Sequence, residues 1–219
     1  MGGHRCTSDE NCDYSMIYGV ETHAKNQSTK DIILGNANNI DHLKLGAIIG
    51  ARNTISATTV VENDFIFGDG NEITNTNIGT IIGKNNSIEN AHTSTLIGKG
   101  NKLKNSSNST FVGYENLQTN DVQSNSNFLF GYSNIITGVN DNKYGIGFRN
   151  TISNNPGLAL GFRNTVDTGI AIGRSNTTHP TNDWHNTLLL GNNNEGYGFT
   201  LGSKNKVSGE YSFAIGYGN

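Results

Sequence analysis

Apolar residues in this chain come in bursts of two or three that close on a glycine, as in Thr80-Ile81-Ile82-Gly83 and Thr95-Leu96-Ile97-Gly98. Aligning these bursts gives a run of anchors: Gly19, Gly35, Gly50, Gly68, Gly83, Gly98, Gly113, Gly131, Gly147, Gly161, Gly173, Gly191, Gly202 and Gly216. From Leu34 to Ile215 the residue before each anchor is apolar. Five residues after it, Ile, Leu or Val stands in every repeat from Gly35 to Gly202 except those with Gln118, Thr178 and Gly196. Short β-branched and aromatic runs punctuated by Gly and Asn predict strands joined by tight turns. A mean repeat of about 15 residues leaves room for two such strands and their turns. No amphipathic helical period interrupts them. The pattern predicts an all-β parallel solenoid, or β-roll, of about 13–14 short coils over residues 30–219, with residues 1–29 as an N-terminal cap segment.

A polar row keeps the same register. Three residues after the anchors stand Asn38, Asn53, Asn71, Asn86, Asn101, Asn116, Asn134, Asn150, Asn164, Asn176, Asn194, Asn205 and Asn219, with Thr22 as the exception in the first repeat. The glycines are expected to supply positive φ or close backbone approach at a corner. The asparagines are expected to tolerate left-handed geometry and to bond local backbone or the Asn of the next coil. An architectural ladder is the reading adopted, against a ligand-binding row.

The residues just before each anchor point to assembly. Ile32, Phe65, Phe128, Leu158, Leu188 and Phe213 stand three before it, and Ile33, Ile48, Ile66, Ile81, Leu96, Phe111 and Leu129 two before it. Alternate residues of a strand face opposite ways, so three successive apolar positions imply burial on both faces. One face lines the roll, but a thin roll has no second interior. The other face is expected to meet further copies of the chain, since water would otherwise bathe a long apolar stripe. A parallel homotrimer is the expected assembly.

Composition narrows the partners. Charged residues make up 15% and the net charge is −3, with neither sign gathered into a run. That removes the basic footprint of a nucleic-acid binder and of a membrane-surface protein. No apolar run approaches the roughly 20 residues of a membrane-spanning helix, and Met1–Arg5 does not open a signal peptide.

Gly209-Glu210-Tyr211-Ser212-Phe213-Ala214-Ile215-Gly216-Tyr217-Gly218-Asn219 resembles the repeat of YadA-like head domains in trimeric autotransporter adhesins. Gly169-Ile170-Ala171-Ile172-Gly173 and Gly157-Leu158-Ala159-Leu160-Gly161 are close variants. The likeness holds in register over residues 30–219 and is closest from residue 157. Earlier coils depart from it, with Ile, Leu or Phe where the family carries Ala and Asn where it carries a small residue. The resemblance implies a left-handed parallel β-roll, three chains about one axis, and display on the outer membrane of a bacterium as a virulence factor. It implies binding to a host glycoprotein of the collagen, fibronectin or carcinoembryonic-antigen-related class, with the chain a head fragment. The alternative is a receptor-binding fibre or depolymerase of a phage or virus.

Candidate chemistry lies in the interruptions. Three repeats are stretched, and Ser56–Asn63, Gln118–Asn127 and Thr177–Asn186 are expected to bulge as surface loops, where binding function tends to sit. The third carries His179, Asp183, Trp184 and His185, including the chain's one Trp. Trp184 reads as an interface anchor or as a staple folded onto the roll. His179, Asp183 and His185 lack the fixed spacing of a metal site, so no metal is assigned. Cys6 and Cys12 read as a local disulfide. No nucleophile elbow, phosphate loop or paired carboxylates occur, so neither enzymatic activity nor a cofactor is expected.

Overall fold

The computed structural model describes residues 16–25, 28–57, 61–75, 77, 79–120, 123–138, 140–179, 187–209 and 212–219. Their regular structure is entirely β-strand, and no helix among them is long and apolar enough to cross a membrane. The chain forms two compact units, Met1–Val112 and Gly113–Asn219. Each is a β-solenoid of parallel strands.

In the first unit the strands that carry the anchors stack in chain order: Met16–Tyr18, Ile32–Leu34, Ala47–Ala51, Phe65–Asp69, Thr80–Lys84 and Thr95–Lys99. The second row is His23–Lys25, Asn39–Asp41, Thr54–Ser56, Glu72–Thr74, Ser87–Glu89 and Lys102–Lys104. The pairing of Met16–Tyr18 with Ile32–Leu34, and of His23–Lys25 with Asn39–Asp41, carries the ladder into the segment assigned to the cap. In the second unit the anchor row runs Phe128–Tyr132, Lys143–Phe148, Gly157–Phe162, Gly169–Arg174, Leu188–Asn192, Phe199–Ser203 and Phe213–Tyr217. Its partner row is built mainly of two-residue strands, such as Thr151–Ile152 and Lys206–Val207.

Repeat lengths vary between 11 and 18 residues, yet anchor pairs with anchor within each unit. Gly68 pairs with Gly83, and Gly83 with Gly98. Likewise Gly161 pairs with Gly173 and Gly191 with Gly202. The cause is a device shared by the anchor and the Asn. A Cβ built on Gly83 would lie 1.8 Å from the carbonyl oxygen of Gly98, and one on Gly161 2.1 Å from that of Gly173. No side chain fits there, and anchor φ values such as +132° at Gly83 exclude one again. That same carbonyl takes the Asn amide: Asn86 Nδ2 donates to Gly98 O at 2.9 Å and to Asn71 Oδ1 at 3.1 Å. Asn86 N also donates to Asn71 Oδ1, at 3.0 Å. Thr22 substitutes for the Asn in the first repeat, its Oγ1 donating to Gly35 O at 2.6 Å and accepting from Asn38 N at 3.4 Å. Apparent degeneracy there is a conservative replacement.

One expectation about the ladder needs correcting. The Asn residues do not take the left-handed conformation; the residue two after the anchor does. Ala37, Arg52, Asn85, Glu115, Ser133, Arg149, Arg163, Ser175, Asn193 and Lys204 stand there, all with φ between +50° and +57°. The ladder Asn is held inside the roll instead, where its carboxamide satisfies backbone groups cut off from water.

The core is two facing apolar rows. Ile33, Ile48, Ile66, Ile81, Leu96 and Phe111 face Ile40, Ile55, Ile73, Ile88 and Leu103 in the first unit, all 0–1% exposed. Burying each such side chain contributes about 1.5–3 kcal/mol. The second unit thins to Gly145, Ala159 and Ala171 on the anchor side, where Leu129 and Ile152 lean into the space a Cβ on Gly145 would need.

Candidate binding surfaces

Strand alternation turns every second anchor-strand residue outward. In the first unit Ile32, Phe67, Ile82 and Ile97 are exposed, and in the second Phe130, Tyr144, Leu160, Ile170, Leu201, Phe213 and Ile215. Phe67 and Phe130 each keep 50% of their surface in water. Each unit therefore presents apolar rows along the outer face of its anchor sheet.

The corner just after each anchor carries a second row. In the first unit it is ionic: Asp69 lies 2.5 Å from Arg52 Nη2 and 3.1 Å from Lys84 Nζ. The hydrogen bond from Lys84 is the main cause holding the Asp69 carboxyl below its ordinary range, with Arg52 adding to it. In the second unit the equivalent residues are aromatic. Tyr114, Tyr132, Phe148 and Phe162 stack with centroids 4.9–5.2 Å apart and planes within 9°. In-register pairing of the strands sets that repeat.

The stretched repeats do not all form surface loops as expected. Val61–Glu62 pairs with Leu43–Lys44, and Lys44 Nζ meets Glu62 Oε1 at 2.7 Å, so part of the first stretch forms a short additional sheet. In the second stretch, Gln118, Ser124 and Asn127 are buried and form a polar node. Asn127 Nδ2 donates to Gln118 Oε1 at 3.0 Å and to Ser124 Oγ at 3.1 Å. The node receives Lys143, which is fully buried: its Nζ donates to Ser124 Oγ at 3.2 Å and to Asn140 O. Burial pulls the amine down to about 8, partly countered by Asp141. The extra residues turn inward because a buried ammonium requires acceptors. Gln118, one of the breaks in a mostly apolar row, was the sequence signal for this node.

Buried carboxyls occupy the matching register of the first unit, four residues before the anchor. Asp31 Oδ1 accepts from Gly46 N at 3.0 Å, and Asp64 Oδ1 from Gly79 N at 2.6 Å. Desolvation raises both carboxyls to about 7, against the lowering effect of those bonds.

Of the residues singled out in the third stretch, His179 lies beyond the strand Thr177–Thr178 with Nε2 2.9 Å from Glu195 Oε1. Lys206 Nζ meets the same oxygen at 3.0 Å, and is the main cause of the lowered Glu195 carboxyl. Trp184, Asp183 and His185 lie outside the described residues, as do Cys6 and Cys12. Among the described residues no group of three His, Cys, Asp or Glu could hold a metal ion. Comparison with protein-family models, curated proteins and solved structures gives no significant match.

Proposed function

We propose that the chain is the head of a trimeric adhesin on the outer surface of a bacterium, acting by binding to a host surface or matrix glycoprotein and not by catalysis. The observation that carries this reading is the pair of outward apolar registers beside the anchors, which a solvated single chain leaves exposed. Parallel packing of three copies covers them, and the left-handed roll implied by the YadA-like repeat supports that geometry. Three identical outer faces then combine weak contacts into firm attachment. Sedimentation equilibrium tests the assembly: three chains of 23.5 kDa give about 70 kDa. Phe67→Asp with Phe130→Asp, both on the exposed row, is expected to release folded monomers and to abolish attachment to receptor-bearing cells. A folded, stable monomer of the parent chain at micromolar concentration overturns the reading.

A further inference from the structure

The corner row of the second unit holds cations that the rest of the fold does not use. Arg149 and Arg163 stand two residues after consecutive anchors, and Arg174 one residue after the next. All three are exposed. Among the described residues, none of the three joins an ion pair, although Arg52 at the same corner of the first unit does.

Their positions are held by the aromatic stack. The Arg149 guanidinium lies 5.0 Å from the centroid of Phe148 and that of Arg163 4.9 Å from Phe162. Arg174 pairs in register with Phe162 and lies 5.4 Å from its centroid, extending the stack by one rung. Left-handed φ of +54° at Arg149 and Arg163 turns both side chains out of the strand. Cation–π contact orders a guanidinium without neutralising it, so its N–H fork stays available to an anion. Adjacent coils rise by about 4.8 Å, so Arg149 and Arg163 stand one strand repeat apart, and Arg174 follows on the next coil in the neighbouring, aromatic row, which gathers three forks on three consecutive coils.

We infer that this cluster binds a linear sulfated glycan lying along the stacked coils, its guanidiniums taking sulfates of neighbouring sugars in an extended chain. Cations fixed on three consecutive coils are complementary to a polyanion whose charges recur along an extended chain. The planar fork of arginine donates two parallel bonds to an oxyanion, and in a highly sulfated glycan sulfates supply most of the oxyanions along the chain, so their removal takes away most of the charge the guanidiniums would meet. The site goes beyond the glycoprotein reading above: it sits on one chain, and trimerisation would only repeat it.

The experiment is biolayer interferometry of the 219-residue chain on immobilised heparin at physiological ionic strength. Desulfated heparin and single-stranded polynucleotide are the comparison ligands. The parent is expected to bind heparin and to lose about tenfold or more on the desulfated chain. Arg149→Gln, Arg163→Gln and Arg174→Gln together are expected to weaken heparin binding about 30-fold or more. A charge-matched control, Lys25→Gln, Lys84→Gln and Lys102→Gln, is expected to change it less than about threefold. Melting curves verify that each variant is folded, and Arg174→Gln alone provides a milder single change. Heparin binding unchanged in the triple variant overturns the inference, as does equal affinity for polynucleotide or for desulfated heparin. Cell attachment measured in parallel separates the two readings, because a sulfated-glycan site can fail while receptor attachment persists.

Discussion

Both units build the same rung, and they differ in what hangs from it. At the inner positions the first unit stacks Ile on Ile, whereas the second passes through Gly145, Ala159 and Ala171. At the corner the first unit pairs Arg52 and Lys84 with Asp69, while the second stacks rings and sets its arginines against them. Four residues before the anchor the first buries Asp31 and Asp64, and the second buries Lys143. Backbone registry is thus independent of the rows attached to it. The anchor carbonyl and the Asn carboxamide hold the coils together, so core, corner and outer rows can vary in size and charge without shifting a strand.

The largest expected effect is common to both units. Gly83→Ala and Gly161→Ala each put a Cβ about 2 Å from a backbone oxygen that has no room to retreat. Each should cost at least about 3 kcal/mol and yield little folded protein on expression. If one unit tolerates the change and the other does not, the rung is not the shared element. Asn86→Ala follows, because it removes the partner of Gly98 O and of Asn101 N and breaks the amide contacts to Asn71 and Asn101, at about 1–3 kcal/mol for each buried group left unpaired. A lower midpoint on chemical or thermal denaturation measures it.

The buried charges should give the units opposite responses to pH. Asp31 and Asp64 ionise near 3.8 when unfolded and near 7 when folded, so the folded state holds more protons between those values. Their contribution is complete below about 3.8 and is lost as pH rises through about 7. Lys143 runs the other way: its amine titrates at 10.5 unfolded and about 8 folded. Stability from that group is present above 10.5 and is lost as pH falls through about 8. Amide hydrogen exchange resolved along the chain should register both trends. Asp31→Asn with Asp64→Asn should flatten the first, and Lys143→Met the second. The smallest effect belongs to the exposed corner: Asp69→Asn should leave the melting temperature close to that of the parent, since surface ion pairs contribute little.

Much of this was legible in the sequence because a solenoid writes its geometry locally. Each coil meets only its neighbours, so the spacing from Gly83 to Asn86 repeats wherever the same carbonyl has to be accommodated. Apolar alternation likewise put Ile81 and Ile82 on opposite faces of one strand without saying which face lines the roll, and the structure buries Ile81 and exposes Ile82. The rows that depend on what stacks above and below were not legible. Lys143 reads as a surface residue until Ser124 and Asn140 are brought to its amine by the folding of a stretched repeat. The arginine cluster reads as scattered charge, because Arg149, Arg163 and Arg174 stand 14 and 11 residues apart. Only parallel registry over unequal repeats brings those three to one corner on consecutive coils, against the rings of Phe148 and Phe162. The rung is written in the residues themselves, because its requirements are steric and recur in every coil. The company each side chain keeps is set by the folded stack, since contacts between coils depend on register and not on distance along the chain.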